Sequence, residues 1–337
     1  MQLVLSIPGL LAHDGRSAAR APHPTPHLAR LIGCAGMAVR EPDGIGAALA
    51  PHYGVTRQGD WPLATIRIAA LGVDPGDAYW LAADPVTLVA GHDDVHFEGA
   101  VRDLAAEEAT ALIATLNAHF AADDVAFVAP RPDQWFVRAA LAPAITTRPL
   151  DALAGSTLRD CLPEGPDAGT WRRWQNEIQM LLHEHPVNAA RAMAGRAPAN
   201  SVWFSAGGTR AARGQLRAPL FTRANGGIAA ALAAHAGTPA LPLADELGAI
   251  LGTPPDDATL VVALDPSPEF ADIERAWAAP ASRALSRGTF ESVTLIGDGV
   301  GHAAVWTARR RSAWGRLTGV LARHDLEALL AAGRTPA

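Results

Sequence analysis

The most distinctive part of the sequence reads His183-Glu-His-Pro-Val-Asn-Ala-Ala-Arg191 and continues as Pro198-Ala-Asn-Ser-Val-Trp-Phe-Ser-Ala-Gly-Gly208. It places two histidines, two asparagines and an arginine ahead of a short apolar run that ends in two glycines. An apolar strand that leads into a turn of small residues is a common way for α/β proteins to build a ligand site. The sequence therefore predicts a strand and a ligand-binding turn at this point in the chain.

The composition is that of a globular protein with room for one large domain or two ordinary ones. The chain has 337 residues, 49% of them hydrophobic and 18% charged, and a formal net charge of −6. This charge gives no reason to expect a nucleic-acid partner. The sequence contains no lysine, which excludes a P-loop NTPase, a lysine Schiff base with pyridoxal phosphate and a lysine general base. A bound anion must therefore be held by arginine, histidine or backbone N–H groups.

Cysteine usage and the absence of long apolar runs indicate the cellular setting. Cys34 and Cys161 lie far apart and lack the spacing of a metal site, so a disulfide framework is not expected. The apolar start, Leu3 to Leu11, is interrupted by Pro8 and Gly9 and has no basic residue before it, which argues against a signal peptide. No run approaches the roughly 20 apolar residues of a membrane span. We expect a cytoplasmic protein with no membrane partner.

Hydrophobic runs and helical periodicity predict an α/β fold. Strands are predicted at Leu3–Ile7, Val125–Val128, Trp135–Arg138, Thr259–Leu264 and Ser292–Ile296, a hairpin at Asp84–Phe97 with its turn at Gly91 to Asp94, and helices at Pro26–Ile32, Leu104–Phe120, Thr170–His183, Gly227–Ala236 and Glu269–Arg287. Alternating strands and helices imply a mainly parallel sheet covered by helices. Residues 1–60 and 167–337 are therefore predicted to form a discontinuous α/β core, and residues 61–166 an inserted α+β domain.

The polar residues around the opening stretch are the candidates for ligand binding. They are His185, Asn188, Arg191, Asn200 and Arg210. Each also has a structural interpretation: the asparagines can cap helix or strand ends, the histidine can be a satisfied core group, and Arg191 can pair with Glu184. Taken together, a histidine, an asparagine and an arginine near a glycine turn make a plausible anion pocket.

The same residues carry a resemblance to a known family. His185-Pro-Val-Asn-Ala-Ala-Arg191, Pro198-Ala-Asn200 and the run ending Ala206-Gly-Gly208 resemble a segment of the archaeal-type cofactor-independent phosphoglycerate mutases. Thr25-Pro-His-Leu-Ala-Arg-Leu31 resembles that family's Thr-Pro-Asn-Leu-Asp-Arg-Leu, and weaker similarity covers nearly the whole chain. The sequence looks most like the bacterial branch of RpfE-type regulatory proteins. The resemblance implies an alkaline-phosphatase-like core with an inserted domain, a phosphorylated small molecule as ligand and, in the mutases, two divalent metals and a serine or threonine nucleophile.

The sequence departs from the family where the mutases keep their catalytic groups. Pro8 stands where the resemblance places the first metal-binding aspartate, and Asp14 is the nearest carboxylate. Gly44-Ile-Gly-Ala-Ala-Leu49 stands in place of the nucleophile segment and offers no hydroxyl. The final segment keeps Asp298 but lacks the adjacent histidine, for which His302 is the nearest substitute. We therefore expect no bound metal or other cofactor, and a non-catalytic regulatory or phosphometabolite-binding protein.

Two alternatives remain open. The first is a phosphoglycerate mutase or related phosphotransfer enzyme that uses Mn or Mg, with ligands drawn from Asp14, His23, His27, Asp43, Asp298 and His302. The second is a protein–protein adaptor that uses the inserted domain, with an unknown protein partner.

Overall fold

The chain leaves one folding unit at Gly54 and re-enters it at Gly214. The structure, a computed structural model, describes residues 1–12, 25–90, 95–153, 158–252, 254–266, 269–299, 301–310 and 325–334. Met1–Gly54 and Gly214–Ala337 form one unit, called here the parallel-sheet unit. Val55–Arg213 forms the other, called the antiparallel-sheet unit.

Twelve strands occur among the described residues. They are β1 (Gln2–Ile7), β2 (Val39–Glu41), β3 (Tyr79–Ala90), β4 (Val95–Ala100), β5 (Val125–Arg131), β6 (Gln134–Ala139), β7 (Ser201–Gly208), β8 (Leu220–Arg223), β9 (Ala240–Leu241), β10 (Thr259–Ala263), β11 (Ser292–Gly297) and β12 (Ala303–Arg309).

The α-helices of the described residues are short to medium in length. They are α1 (Pro26–Ala35), α2 (Gly44–Leu49), α3 (Leu63–Ala70), α4 (Ala106–His119), α5 (Ala168–His183), α6 (Pro186–Met193), α7 (Gly227–Ala236), α8 (Phe270–Asp272), α9 (Ala279–Arg287) and α10 (Leu326–Arg334). Short 3₁₀ turns occur at Ala50–Tyr53, Leu150–Leu153, Leu158–Cys161 and Leu247–Ala249. None of these helices has the length and apolar character needed to cross a membrane.

Strand β1 lies in the middle of a seven-stranded sheet with the order β2-β12-β11-β1-β10-β8-β9. It pairs in parallel with β10 and β11, while β10 pairs in parallel with β8, and β8 with β9. At the other side of the sheet, β12 pairs antiparallel with both of its neighbours, β11 and β2. Strand β1 is buried from Leu3 to Ile7, as expected of a parallel strand that is covered on both faces.

A π-helical segment, Ile273–Ala278, separates α8 from α9. Pro280 follows it, and in a regular α-helix the proline ring would clash with the carbonyl four residues earlier. A wider turn at this point relieves that clash. The segment also carries Glu274, whose carboxylate accepts the backbone N–H groups of His27 and Leu28, each at 2.9 Å. Glu274 therefore caps α1, where two N–H groups lack partners within the helix.

Strand β3 is the central strand of the antiparallel-sheet unit. It pairs with β6 over Tyr79–Ala82, with β4 over Val86–Ala90 and with β7 over Trp80–Val86, while β5 adds to β6. All these pairings are antiparallel. Helices α4 and α5 contribute to the core of this unit, which contains Leu112, Leu116, Phe127, Trp135, Trp171, Ile178, Leu182 and Phe204.

The predicted fold class is confirmed: a mainly parallel sheet with helices and a separate smaller unit of mixed helix and strand. The unit boundaries differ from those that the sequence suggests. Residues 167–213 were expected in the α/β core but belong to the antiparallel-sheet unit, because β7 pairs with β3. The predicted hairpin is formed by β3 and β4, while its turn at Gly91 to Asp94 lies outside the described residues.

The burial of β7 explains this difference in boundary. Val202 and Phe204 belong to the core that α5 covers, while Trp203 packs with Val86 and Leu88 in a second cluster. Both faces of β7 are therefore covered, so its sequence is a nearly continuous apolar run. Such runs are typical of parallel strands, although here the strand is antiparallel.

Candidate functional site

Helix α6 begins directly after His185, which is its N-cap. The Nδ1 atom of His185 accepts the Val187 N–H at 3.2 Å, and its Nε2 lies 3.1 Å from the Thr115 hydroxyl oxygen. Pro186 occupies the first helical position, where its missing N–H is not needed. Burial lowers the pKa of His185. Because Nδ1 accepts the Val187 N–H, Nε2 is the ring nitrogen that can donate, and the imidazole holds the start of α6.

Asn188 is buried and joins three segments of backbone. Its side-chain N–H₂ group donates to the carbonyls of Leu182 at 2.7 Å and Ala199 at 3.0 Å. Its carbonyl oxygen accepts the Ala199 N–H at 2.9 Å. These contacts tie the end of α5 and the start of β7 to α6. Both the donor and the acceptor group of the Asn188 side chain are therefore bonded to the protein backbone.

Arg191 is the centre of a charge network that we call the arginine anchor: Arg191, Arg196, Asp103 and Glu108. The Arg191 side chain has no exposed surface. It donates to the Ala197 carbonyl at 2.8 Å, to Glu108 at 2.8 Å and to Asp103 at 2.5 Å. The proposed Glu184 pairing is thus replaced by pairing with two acids that lie far earlier in the chain.

The two carboxylates of the arginine anchor are both held ionised. Hydrogen bonds from Arg191 and then Arg196 lower the pKa of Asp103. For Glu108, burial alone would raise the pKa, but the Ala105 N–H and the Arg191 charge outweigh it and the pKa is lowered. Arg196 adds contacts of 3.0 Å to each acid. Two positive and two negative charges therefore neutralise one another inside the anchor.

Asn200 acts as an extra residue of the sheet. Its side-chain N–H₂ donates to the Leu88 carbonyl at 2.7 Å, and its carbonyl oxygen accepts the Leu88 N–H at 2.8 Å. The side-chain amide thereby makes the two bonds that a paired strand residue would make. Asn200 is buried and its hydrogen-bonding groups face β3.

The glycine turn at the end of β7 has a steric origin. Ala206 adopts a positive φ of 58°, within a β-bulge opposite Trp80 to Ala82. A Cβ on Gly207 would collide with the Tyr79 hydroxyl, and a Cβ on Gly208 would lie 2.5 Å from the Cβ of Pro62. Close approach of neighbouring side chains therefore accounts for both glycines.

The five predicted ligand residues do not converge on one opening. Asn188 and Asn200 both lie next to Ala199, while His185 is the N-cap of α6 and Arg191 lies within that helix. Arg210 lies beyond the glycine turn, where it forms an exposed ion pair with Asp74. The ligand-binding role of these residues stays a prediction, and the geometry gives each of them a structural one.

At the carboxyl edge of the parallel sheet, Asp298 joins the ends of β1 and β11. Its carboxylate accepts the Gly9 N–H at 2.7 Å, and its backbone carbonyl accepts the Leu11 N–H at 2.7 Å. Burial raises the pKa of Asp298. His302 is buried, and its Nε2 lies 2.8 Å from the Gly333 carbonyl oxygen. Asp298 and His302, the two metal candidates near the end of the chain, thus both form hydrogen bonds with backbone groups.

The described residues do not fit a two-metal site. Within the described ranges, no three His, Cys, Asp or Glu side chains come together as metal ligands would. Asp265, which follows β10, accepts a hydrogen bond from the Asn225 side chain at 2.9 Å. Asp14 and His23 lie outside the described residues. The predictions about metals, other cofactors, a protein partner and the cytoplasm stay predictions.

A cavity that sequence patterns do not predict lies beside β8 and β9, and we call it the edge cavity. Its volume is about 220 Å³. It is lined by Leu220, Phe221, Thr222, Arg223, Gly237, Thr238, Pro239, Leu241, Ile250, Pro254 and Leu260. The nearest signal in the sequence is an arginine directly after three strand-forming residues at 220–222, but β8 is too short to stand out by periodicity.

The sequence matches no protein-family model and no curated protein. Among solved structures, the chain is similar to the cofactor-independent phosphoglycerate mutase of Thermoplasma acidophilum, at 14% identity and a TM-score of 0.42 over 99% of each chain. It is also similar to the PH0037 protein of Pyrococcus horikoshii, at 12% identity and a TM-score of 0.45 over 91% of this chain and 87% of that one. Similarities at this level transfer no residue roles to this chain.

Proposed function

We propose that this chain is a non-catalytic binding protein with a regulatory role in the cytoplasm, on a scaffold like that of the cofactor-independent phosphoglycerate mutases. The observation that carries the proposal is the use of Asp298. Its carboxylate accepts the Gly9 N–H at 2.7 Å, and burial raises its pKa. A buried carboxylate that accepts a backbone N–H joins two strand ends and is already used within the fold, which favours a structural role over that of a metal ligand.

Helix α2 supports the same proposal. It occupies the segment that the resemblance aligns with the nucleophile, and Gly44, Ile45, Ala47 and Leu49 within it are buried. Phosphoryl transfer through a covalent intermediate needs a hydroxyl or another nucleophile at this point. An apolar helix there stabilises the fold and offers no group to receive a phosphoryl group.

The arginine anchor bears on the phosphometabolite part of the hypothesis. A phosphate that reached Arg191 would have to displace Asp103 and Glu108, which are bonded to it at 2.5 Å and 2.8 Å. Exchanging two charge-assisted hydrogen bonds for others of the same kind gains little. A ligand of the binding protein is therefore expected elsewhere than at this guanidinium.

A turnover assay tests the proposal. Purified protein, with Mn²⁺ or Mg²⁺ added, is assayed for conversion of 3-phosphoglycerate to 2-phosphoglycerate and analysed for bound metal. We expect neither turnover above background nor stoichiometric metal. The matched variants are Asp298→Asn and Asp256→Asn, the latter at an exposed position. Metal and turnover that are lost in Asp298→Asn and kept in Asp256→Asn would favour the enzyme and overturn the proposal.

A further inference from the structure

The edge cavity is a feature that the proposed function leaves unused. It lies within the parallel-sheet unit, between β8, the turn after α7 and the segment that precedes β10. Its apolar wall includes Phe221, Ile250 and Leu260, and Leu241 at its border is 41% exposed. An apolar cavity of about 150 Å³ is large enough to bind benzene. At about 220 Å³, the edge cavity has room for one aromatic ring and a small polar group.

The cavity exists because the β8–β9 ladder stops early. Strand β9 has two residues, and they pair only with Thr222 and Arg223. Pro239 precedes β9 and has no N–H, so it cannot donate to a longer ladder. The space beside Leu220 and Phe221 is therefore left open, and both residues line the cavity.

Arg223 gives the cavity a charge. It is the last residue of β8, at the carboxyl end of a parallel strand, where ligands of open α/β sheets commonly bind. It donates one long hydrogen bond, 3.4 Å, to the Pro242 carbonyl. In the part of the chain that the structure describes, no carboxylate forms an ion pair with it. A partly exposed arginine with most of its donors unused is suited to an anionic group.

We propose that the edge cavity binds a small molecule with an apolar body the size of one aromatic ring and a single carboxylate or phosphate, which Arg223 holds. This deepens the proposed function, since it names the chemical class of ligand for a binding protein and rests on that function for its biological role. The binding itself does not depend on whether the chain is an enzyme.

The first experiment compares head groups on one ring. Phenylacetate, phenyl phosphate, benzyl alcohol and benzylamine are titrated into the full-length protein by calorimetry, with ligand-observed NMR for weak binding. We expect one or both anions to bind at least about fivefold more tightly than the alcohol, since charged hydrogen bonds are the stronger kind, and the amine to bind least. The better of the two anions identifies the head group. Equal affinities for anions, alcohol and amine, or no binding by any of them, would overturn the proposal.

The second experiment changes the cavity. Arg223→Gln should weaken binding of the better anion about tenfold, because it removes one charged hydrogen-bonding partner. Leu241→Trp, at a half-exposed position, should fill the opening and reduce binding of every compound. Arg309→Gln is the control, because Arg309 is also a strand arginine but is exposed and away from the cavity. Circular dichroism confirms that each variant is folded. Unchanged binding in both cavity variants would contradict the assignment.

The two proposals fail separately. Turnover with bound metal, together with anion binding that depends on Arg223, would overturn the non-catalytic function and keep the edge-cavity site. No turnover and no ring-anion binding would keep the non-catalytic function and remove this ligand class.

Discussion

Arg191 and Arg223 stand in two regions that use the same side chain in opposite ways. Arg191 is fully enclosed and donates to a carbonyl and two carboxylates within 2.8 Å. Arg223 lines a cavity and, among the described residues, donates one hydrogen bond, of 3.4 Å. The difference shows that an arginine near a glycine turn or a strand end indicates a binding site only when the fold leaves its donors unused.

The largest expected effect is a loss of stability when Arg191 of the arginine anchor is replaced. Arg191→Met removes the buried partner of Glu108, whose own side chain is only 19% exposed. Breaking such a pair costs about 3 kcal/mol. Urea unfolding should show a clear fall in the midpoint at an unchanged m-value. Arg196→Met is the matched control. Its side chain is 36% exposed, and we expect a clearly smaller fall in the midpoint, because exposed ion pairs contribute little to stability. Equal losses in the two variants would remove the distinction between the buried and the exposed arginine of the anchor.

A second effect, of about 2 kcal/mol, is expected for Asn200→Ala. The change removes both bonds to Leu88 and leaves a buried N–H and C=O without partners. Hydrogen exchange should become faster at the Leu88 amide in particular. Asn225→Ala is the control, since Asn225 also bonds a backbone N–H but is exposed. If Leu88 exchange were unchanged, Asn200 would not be part of the sheet.

Asp103 in the arginine anchor and Asp298 at the ends of β1 and β11 should respond to pH with opposite signs. Arg191 holds the pKa of Asp103 low, so this contribution to stability is present above about pH 4 and is lost as the pH falls through the lowered pKa. Burial raises the pKa of Asp298, so its contribution is complete below about pH 4 and is lost as the pH rises through the raised pKa.

Asparagine substitutions measure this difference. At neutral pH, Asp103→Asn should lower the thermal midpoint and Asp298→Asn should raise it, because asparagine keeps an acceptor for the Gly9 N–H without a desolvated charge. Both differences should shrink toward about pH 4. Thermal unfolding at several pH values, with exposed Asp256→Asn as reference, checks both signs. Shifts in the same direction would show that the two carboxylates do not differ as described.

The smallest expected effect is at the bulge of β7. Ala206 has a φ of 58°, which glycine adopts without the steric cost that alanine bears. Ala206→Gly should therefore stabilise the protein by up to about 1 kcal/mol, after the greater flexibility of glycine in the unfolded chain is counted. Ala126→Gly in β5 should destabilise it instead. The free energies of unfolding of the two variants should bracket that of the wild type, and a loss at both positions would show that Ala206 is not strained.

Much of the fold follows from local sequence. Apolar runs identify β1, β10 and β11, and helical periodicity identifies α4, α5 and α7, so the mainly parallel sheet could be predicted. Strands β2, β8 and β9 have two to four residues each, too few for any period to show. Their presence depends on the longer strands beside them.

The candidate site was less predictable because its chemistry depends on distant partners. Asp103 and Glu108 lie 88 and 83 positions before Arg191, whereas Glu184 is the carboxylate that the local sequence offers. The edge cavity depends on where the β9 ladder ends, which is a property of the assembled sheet. Sequence shows which side chains can bind a ligand, and only tertiary contacts show which of them remain free to do so.

The collision between a Cβ at Gly207 and the Tyr79 hydroxyl links two positions that lie far apart in the chain. Any side chain at 207 needs the space that the phenol fills, so a larger residue there requires a smaller one at 79. In homologues of this protein the two positions should consequently change together, and glycine at 207 should accompany an aromatic residue at 79. Paired substitutions at positions 79 and 207 would then reflect steric packing between the two residues and not the binding of a ligand.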